Sequence, residues 1–451
     1  MPYDNELAKY HVIRRIAESD QVKNFLNRCK INDSAHSEFE LPSSPTNLAR
    51  AEWLPKWIIA IDGGNQEIPV ENGFPGAEVS YISIASVMID VELLQKLDAE
   101  RPVDPAAFRK IQSTDADANV FPGCNVNIEG EISSQASLRR QLKEVMEEGH
   151  LSADGESILD TYQALLKYKS EERPQNCPYD DCEKLGATYK RGDGEYKCDC
   201  RLLRSLYSTD ALRIHEGMEP GGSNGAMFSE VRQVMERIWL IHILHTLENK
   251  GWLSSLKKIV FVIDGPLAVF GHPAWLKDAI AKELQRINKL ARETNDEDLF
   301  ILGIEKTGAF ADHLIALDIN KDGSPGRIEP GTVMLLDDGY IKRNIIFSES
   351  ERWYGDQTYF GRKFFYKTKT GALIVGMTPF YDDEHSRLNK KNVSQFPRLS
   401  DALSLLDKLV SSRYPNAVVP LVEANAEAAI PMRLGTRVLE KLAKELMGKG
   451  G

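Results

Sequence analysis

The chain has 451 residues, of which 42% are hydrophobic and 27% are charged, and its formal net charge is −11. This composition predicts a folded protein of one to three domains and excludes wholesale disorder. It also excludes a uniformly basic nucleic-acid coat, although a local basic groove remains compatible with it.

No run of about 18 apolar residues occurs, so no transmembrane helix and no membrane contact are expected. The first 27 residues alternate charged and apolar positions and lack the apolar centre of a signal peptide. We therefore expect a cytoplasmic protein. Its six cysteines are then more often reduced or metal-bound than paired in disulfides.

Residues 1–56 are predicted to form an N-terminal helical arm, with one or two helices over Glu6–Cys29 and a polar loop after them. The arm is interpreted as a peripheral helix, and packing on a partner is the alternative.

Two apolar runs, 57–61 and 259–263, each end in an aspartate followed by glycine, at Asp62 and at Asp264. Runs of this length that are rich in Ile and Val are typical of strands buried on both faces. Ligands gather at the carboxyl edge of the strands in open α/β sheets. Two acids at that edge, on neighbouring strands, would hold a divalent cation between them.

The run 78–89 is rich in β-branched residues and predicts a strand beside the first one. A strand pair with an acid at its mouth indicates an α/β protein with an RNase H-like mixed sheet core flanked by helices. Residues 57–90 are assigned to the first part of this core.

Residues 91–225 are interpreted as a large helical, cysteine-bearing insertion, with helices over 135–148 and 156–171. Within it, a turn sequence separates two cysteine pairs, so a hairpin over 177–200 would bring four thiols together. Four thiolates around a tetrahedron are what a structural zinc ion needs, although the spacings differ from the usual C-x2-C. The alternative is four free thiols, and the residues concerned are Cys177, Cys182, Cys198 and Cys200.

Residues 226–451 are assigned to the remainder of the core and its C-terminal helices. A long helix is predicted over 228–249, and it carries Glu230 and Glu236. The strand 259–264, a helix over 273–292 and a strand over 299–304 then follow in the order typical of α/β topology.

Between Lys342 and Arg398 the charge balance reverses, with eleven Lys and Arg against six Asp and Glu. Aromatic residues are interleaved with these cations, a combination that suits single-stranded nucleic acid. The alternative is an ordinary amphipathic hairpin over 359–377. The candidate DNA-binding residues in this segment are Arg343, Arg352, Tyr359, Arg362 and Lys363.

Phosphodiester hydrolysis requires an activated water and stabilisation of a departing oxyanion, which two divalent ions held by oxygen ligands can supply. Asp62 and Asp264 are the strongest candidates for such ligands, because strand ends hold them rigidly. Glu236 or Glu230 on the long helix would supply a third acid.

At these positions the chain resembles the NurA nucleases of archaea and bacteria. The matching segments are 60–63, the helix with Arg232 and Glu236, 262–267, 303–307 and the late 420–425. The resemblance covers about 57–90 and 228–435. It implies an RNase H-like core, a manganese- or magnesium-dependent 5′-to-3′ exonuclease with single-strand endonuclease activity, a homodimer, and work beside a HerA-type hexameric ATPase in DNA end processing or antiviral defence.

By this resemblance Asp62, Glu236 and Asp264 would be metal ligands. The late histidine of the family falls at Asn425 here, a neutral ligand that cannot carry a proton as imidazole does. His385 could substitute from a loop. The departure leaves open a second reading, a catalytically weak or inactive adaptor that binds DNA or an ATPase.

An actin-like or sugar-kinase-like ATPase is a third reading, because it uses the same core. Asp62-Gly63-Gly64 would then grip phosphate, but Asn65-Gln66 stand where Ser or Thr is expected, and Pro266 lacks a backbone amide.

Overall fold

A computed structural model of the chain describes residues 10–29, 41–45, 48, 51, 53–70, 76–92, 112–152, 154–169, 177–179, 182, 194–198, 203–383, 386, 388, 391–410, 416–429, 438–439 and 441–442. Two short helices, α1 (Tyr10–Glu18) and α2 (Asp20–Arg28), confirm the helices predicted within 6–29. None of the residues of α2 is buried. No helix among the described residues is long and apolar enough to span a membrane.

An eight-stranded mixed sheet organises the rest. The strands are β1 (Trp57–Pro69), β2 (Glu78–Asp90), β3 (Gln112–Pro122), β6 (Ile259–Asp264), β7 (Ile301–Glu305), β8 (Val333–Leu335), β9 (Gly361–Lys367) and β10 (Leu373–Pro379). Their order across the sheet is β3-β2-β1-β6-β7-β10-β9-β8. A separate two-stranded sheet consists of β4 (Glu195–Lys197) and β5 (Ser205–Tyr207).

The first five strands of the order have the RNase H-like arrangement, which confirms the predicted fold class. β1, β2 and β3 form an antiparallel meander, and β6 and then β7 add in parallel beside β1. The predicted hairpin over 359–377 forms β9 and β10, which extend the sheet beyond β7.

Helices cover both faces of the sheet. They are α3 (Ser134–Glu148), α4 (Ile158–Leu166), α5 (Gly225–Asn249), α6 (Leu276–Asn295), α7 (Ala309–Leu317), α8 (Asp338–Asn344), α9 (Leu399–Leu409) and α10 (Val419–Ala428). Short 3-10 turns lie at Ser208–Leu212, Ile214–Gly217, Leu253–Lys258, His272–Trp275 and Val393–Gln395.

Alternation along the parallel strands divides the core in two. Ile61 and Ile263 face the cluster that holds α3 to α6, whereas Ala60 and Val262 face the cluster that holds α9 and α10. Because successive side chains of a strand point to opposite faces, each strand contributes to both clusters. Apolar runs in these two strands are therefore required, as the sequence indicated.

The boundaries of the predicted insertion need correction. β3 lies inside the range 91–225, yet it pairs with β2 along its whole length and belongs to the core sheet. The helices α3 and α4 also share one apolar cluster with α5, through residues such as Leu138, Tyr162 and Ile238. The segment is thus a covering layer of the main core. The strand β3 was not predicted because 112–119 is polar and carries two aspartates.

A second correction concerns β1. The sequence predicted that the strand would end at Asp62, but β1 continues to Pro69 in register with β2. Its parallel partner β6 stops at Asp264. Asp62 therefore lies in the middle of a strand, at the point where β1 extends beyond its parallel neighbour.

Candidate active site

The two aspartates that the sequence singled out are brought to the same edge of the sheet. The parallel register pairs Ile61 with Ile263, so Asp62 and Asp264 occupy the next positions on adjacent strands. Adjacent strands lie about 4.8 Å apart, so the backbones of the two acids are close neighbours. By alternation both side chains lie on the face that α9 and α10 cover.

Asp62 is buried, with 3% of its surface exposed. Its Oδ1 accepts a hydrogen bond from the Gly63 amide at 2.8 Å, whereas its Oδ2 has no hydrogen-bond partner within the described part of the chain. Burial, reinforced by the charges of Asp264 and Glu236, raises the pKa of Asp62 to about 8. A buried carboxyl oxygen without a partner is unfavourable, which makes Asp62 a candidate functional position.

Glu236 comes to this edge from the long helix α5, most of whose residues from Met227 to His245 are buried. Its carboxylate is itself buried and is bound by two guanidinium groups, that of Arg232 and that of Arg237 at 3.3 Å. Burial raises the pKa of Glu236 although both arginines oppose the shift. Glu236 is therefore held in a fixed orientation on the α5 face of the sheet, close enough for its charge to raise the pKa of Asp62.

The two glycines after Asp62 let neighbouring groups approach the strand from both faces. A Cβ atom at Gly63 would lie 2.5 Å from Glu236 Oε1, and one at Gly64 would lie 2.5 Å from the carbonyl oxygen of Ala428 on α10. Both positions therefore need glycine. α10 also closes the space that a phosphate-binding turn would use, and Gly63 and Gly64 lie within the paired strand β1. These contacts argue against the ATPase reading.

Two cations at the site were missed by sequence reasoning. Lys306 Nζ lies 3.0 Å from Asp264 Oδ1, and its charge lowers the pKa of Asp62. Lys306 follows β7, the third parallel strand, so the rule that found the two aspartates also applies to it. Both partners are about 30% exposed or less, which places this pair at the solvent-facing side of the site.

Arg237 is the second missed cation, and it is 4% exposed. Besides Glu236 it donates to the carbonyl oxygens of Asp264, Pro266 and Ala268, at 3.4, 3.0 and 3.3 Å. Gly265 has a positive φ of 80°, which turns the chain so that these carbonyls face the arginine. Arg237 thus fixes the loop after β6 to α5. The available signal was a charge directly after Glu236, immediately before the apolar stretch 238–241.

The donor set fits a hard divalent cation. Asp62 offers an oxygen that has no hydrogen-bond partner among the described residues, Asp264 is partly exposed, and all three acids are oxygen ligands of the kind that Mg²⁺ and Mn²⁺ prefer. The three carboxylates do not form a closed set. Among the described residues, only three cysteines have ligand atoms all within 4.8 Å of one another.

Glu230, also predicted as a metal ligand, is not brought to this edge. Its two carboxylate oxygens both lie 3.1 Å from Nδ1 of His272, and it accepts from the His272 amide. Six positions separate it from Glu236, which turns it to another side of α5. Glu236 is thus the helix acid at the site.

Asn425 lies on α10, which packs against β1, but its side chain is exposed. The buried stripe of that helix consists of other residues, among them Leu421, Ala424 and Ala428. Asn425 therefore remains a position beside the site without a contact that would give it a role. His385 is outside the described residues.

The predicted DNA-binding residues divide into two groups. Arg343 and Arg352 are exposed on the surface, as a phosphate contact requires. Arg362 is 1% and Lys363 5% exposed, although both line the cavity beside Tyr359, so neither presents a solvated cation at the surface. Lys363 binds Glu305 at 2.5 Å, and the Arg362 guanidinium stacks on the ring of Phe396. They are internal charges of β9.

Tyr359 lines a cavity of about 340 Å³ together with Trp353 and Tyr354. The cavity adjoins the loop after β6, because the amide of Val269 donates to the carbonyl of Thr358 at 2.8 Å. An aromatic cavity therefore lies beside the loop that follows Asp264, and its walls also carry acidic side chains such as Asp382 and Asp383.

Three of the four predicted zinc ligands are brought together: the ligand atoms of Cys177, Cys182 and Cys198 lie within 4.8 Å of one another. Cys200 lies outside the described residues. The predicted turn over 190–195 lies mostly outside the described residues, and the hairpin that the structure does describe, β4 and β5, turns between Lys197 and Ser205.

Comparison with known proteins identifies the family of the chain. The family described as NurA domain matches residues 56–430. No curated protein matches the chain. Among solved structures, the crystal structure of the NurA nuclease from Sulfolobus solfataricus is 11% identical, with 98% of each chain covered and a TM-score of 0.32. A crystal structure of NurA with manganese is 11% identical, covers 96% of this chain and 95% of that one, and has a TM-score of 0.23. Because the family match extends over most of the chain, this protein belongs to the NurA family.

Proposed function

We propose that this protein is a metal-dependent deoxyribonuclease that uses Mn²⁺ or Mg²⁺ at Asp62, Glu236 and Asp264. The observation that carries the proposal is the buried carboxyl group of Asp62, whose pKa the charges of Asp264 and Glu236 help to raise and whose Oδ2 has no hydrogen-bond partner among the described residues. Membership in the NurA family supports it.

Each residue has a separate task in this proposal. Asp62 and Asp264 supply oxygen ligands from adjacent strands, and Glu236 supplies a third from α5. Arg237 is a positioning residue that holds Glu236 and the loop after Asp264. Lys306, next to Asp264 and partly exposed, is placed to bind a phosphate oxygen of the substrate. Bound divalent ions would activate the attacking water and offset the charge on the departing oxygen.

The DNA would pass the acid edge toward the aromatic cavity at Tyr359 and the exposed Arg343 and Arg352. Stacking on aromatic rings and contacts to phosphate are the interactions that single strands use. We further propose 5′-to-3′ exonuclease and single-strand endonuclease activity, a homodimer, and a HerA-like hexameric ATPase as the translocating partner in DNA end processing or antiviral defence. These finer assignments rest on the family resemblance.

A direct test measures cleavage of circular single-stranded and linear duplex DNA with Mn²⁺. Wild-type protein should cut, and Asp62→Ala and Asp264→Ala should each reduce the rate by at least about 10³-fold. The exposed Glu349→Gln variant is the matched control and should cut like wild type. Nucleotide hydrolysis without cutting would contradict the proposal.

The adaptor reading keeps one observation in its favour, the exposed Asn425 at the position of the family's histidine. An inactive wild-type protein that still binds DNA or an ATPase would establish that reading. Cleavage by wild type that both aspartate variants abolish would exclude it.

A further inference from the structure

The cysteine cluster is not used by the proposed reaction, and its geometry points to a ligand. The Sγ atoms of Cys182 and Cys198 are 3.7 Å apart, and Cys177 lies within 4.8 Å of both. A disulfide requires about 2.05 Å between sulfurs. Around a tetrahedral zinc ion with Zn–S bonds of about 2.3 Å, neighbouring sulfurs lie about 3.8 Å apart. The observed separation matches the edge of such a tetrahedron.

The segment around the thiols is too small to be stable by its own packing. The strands β4 and β5 have only three residues each, and a two-stranded hairpin of that size is not stable alone in water. The local apolar cluster is small: Tyr196, Cys198 and Leu206 are its buried members, with Cys177, Tyr179 and Cys182 packed against them. A core of this size resembles those of small modules that a structural metal holds together.

The cysteine-bearing segment, which includes β4 and β5, contacts the main core through Tyr179. Its ring lies under the guanidinium groups of Arg139 and Arg204, 4.7 and 4.8 Å from the ring centroid, and its hydroxyl donates to the Ser205 carbonyl at 3.0 Å. Arg139 belongs to α3 and forms a buried ion pair with Asp210. Fixing the cysteines on either side of Tyr179 therefore fixes how the hairpin packs on α3.

We propose that Cys177, Cys182 and Cys198 bind a structural zinc ion that holds the β4–β5 hairpin and the Tyr179 segment on α3. Three thiolates favour zinc over magnesium or manganese, which prefer oxygen ligands. The three described thiolates leave one position of the tetrahedron for a further ligand. The site is separate from the acid edge and does not depend on the nuclease activity.

Elemental analysis of purified, exhaustively dialysed protein tests the proposal. We expect about one zinc per chain in wild type and in Asp62→Ala, and less than about a tenth of that in Cys182→Ser. Cys29→Ser is the matched control, since Cys29 is exposed and outside the cluster, and it should retain zinc. Wild type without zinc, iron in place of zinc, or full zinc in Cys182→Ser would overturn the proposal.

A second measurement does not depend on the folding of a variant. Cobalt exchanged into wild-type protein should give the intense visible bands of a tetrahedral thiolate site, and zinc should remove them. Withdrawing the metal with a chelator should speed proteolytic cleavage between residues 170 and 205 by about tenfold or more, with the rest of the chain still protected. Octahedral cobalt spectra, or cleavage that the chelator does not change, would contradict the site.

Discussion

Two buried aspartates in this molecule, Asp210 and Asp62, have opposite electrostatic surroundings. The Arg139–Asp210 pair is 2% and 6% exposed, and both oxygens of the carboxylate accept from the guanidinium at 2.7 Å. Asp62 is equally buried, but it faces Asp264 and Glu236, charges of its own sign, and one of its oxygens lacks a hydrogen-bond partner among the described residues. The paired charge serves the fold, whereas the surroundings of Asp62 favour its protonated form, which the proposed cation would reverse.

The largest effect should follow from breaking the paired charge. Arg139→Met leaves Asp210 buried without its cation and should cost about 3–5 kcal/mol of unfolding free energy, measured by urea denaturation. Its folded fraction should keep nuclease activity within about twofold of wild type, because the pair does not touch the acid edge.

The matched control for this variant is Arg140→Met on the same helix, where the cation is 37% exposed and binds Glu144. It should cost less than about 1 kcal/mol. If Arg139→Met and Arg140→Met lowered the unfolding free energy equally, the buried ion pair would be no more important for stability than the exposed one.

Replacing Asp62 with an uncharged residue should raise the unfolding free energy, the opposite of the effect expected for Arg139→Met. The folded-state pKa of Asp62, about 8, exceeds that of an unfolded aspartate. The folded protein therefore keeps a proton that the unfolded chain releases, and stability falls as the pH rises from about 4 to about 8. Asp62→Asn should be more stable than wild type by about 1–3 kcal/mol at pH 8.5 in a chelator and nearly equal to it at pH 4.

The measurement is denaturant unfolding at both pH values, with Glu349→Gln as an exposed control that should show no such dependence. Were Asp62→Asn less stable than wild type at pH 8.5, the carboxyl group would have a favourable partner and the comparison would fail.

Lys306 tests how far a nearby cation offsets the like charges around Asp62, because its charge lowers the pKa of Asp62. Lys306→Met should raise that pKa and move the rising limb of the pH–activity curve at limiting Mn²⁺ upward by about one unit, equivalent to about 1.4 kcal/mol. Lys306→Arg keeps the charge and should restore most of the original position. A rate reduced equally at every pH, without a shift of the curve, would assign Lys306 to substrate contact alone.

The smallest effects are expected at the surface cations. Arg343→Ala and Arg352→Ala should each weaken binding of single-stranded DNA by a few-fold and lower the slope of log affinity against log salt by about 0.7, measured by fluorescence anisotropy. Lys363→Met should instead lower stability, since Lys363 is buried on Glu305. An unchanged salt slope in both arginine variants would place the DNA elsewhere.

The sequence was sufficient for the parts of the fold that periodicity determines. The apolar runs before Asp62 and Asp264 predicted two buried parallel strands, and the structure places them side by side. The polar strand 112–122 was missed because its place in the sheet depends on pairing with β2, which no local pattern encodes.

The same limit applies to the site. The two aspartates could be chosen from the apolar runs that precede them, but the choice between Glu230 and Glu236 and the partners of each charged side chain depend on tertiary packing. Arg362 and Lys363 have the composition of a DNA-binding surface, yet β9 lies between neighbouring strands and buries them. Charge counting cannot distinguish a solvated cation from one that is paired inside the core.

Calorimetric titration of Mn²⁺ into wild type and Asp62→Asn at pH 7.5 tests most directly whether the acid edge is a cation site. Wild type should bind Mn²⁺, and Asp62→Asn and Asp264→Asn should bind it at least about 100-fold more weakly, while Glu349→Gln binds it as wild type does. Equal Mn²⁺ affinity in wild type and Asp62→Asn would contradict the account.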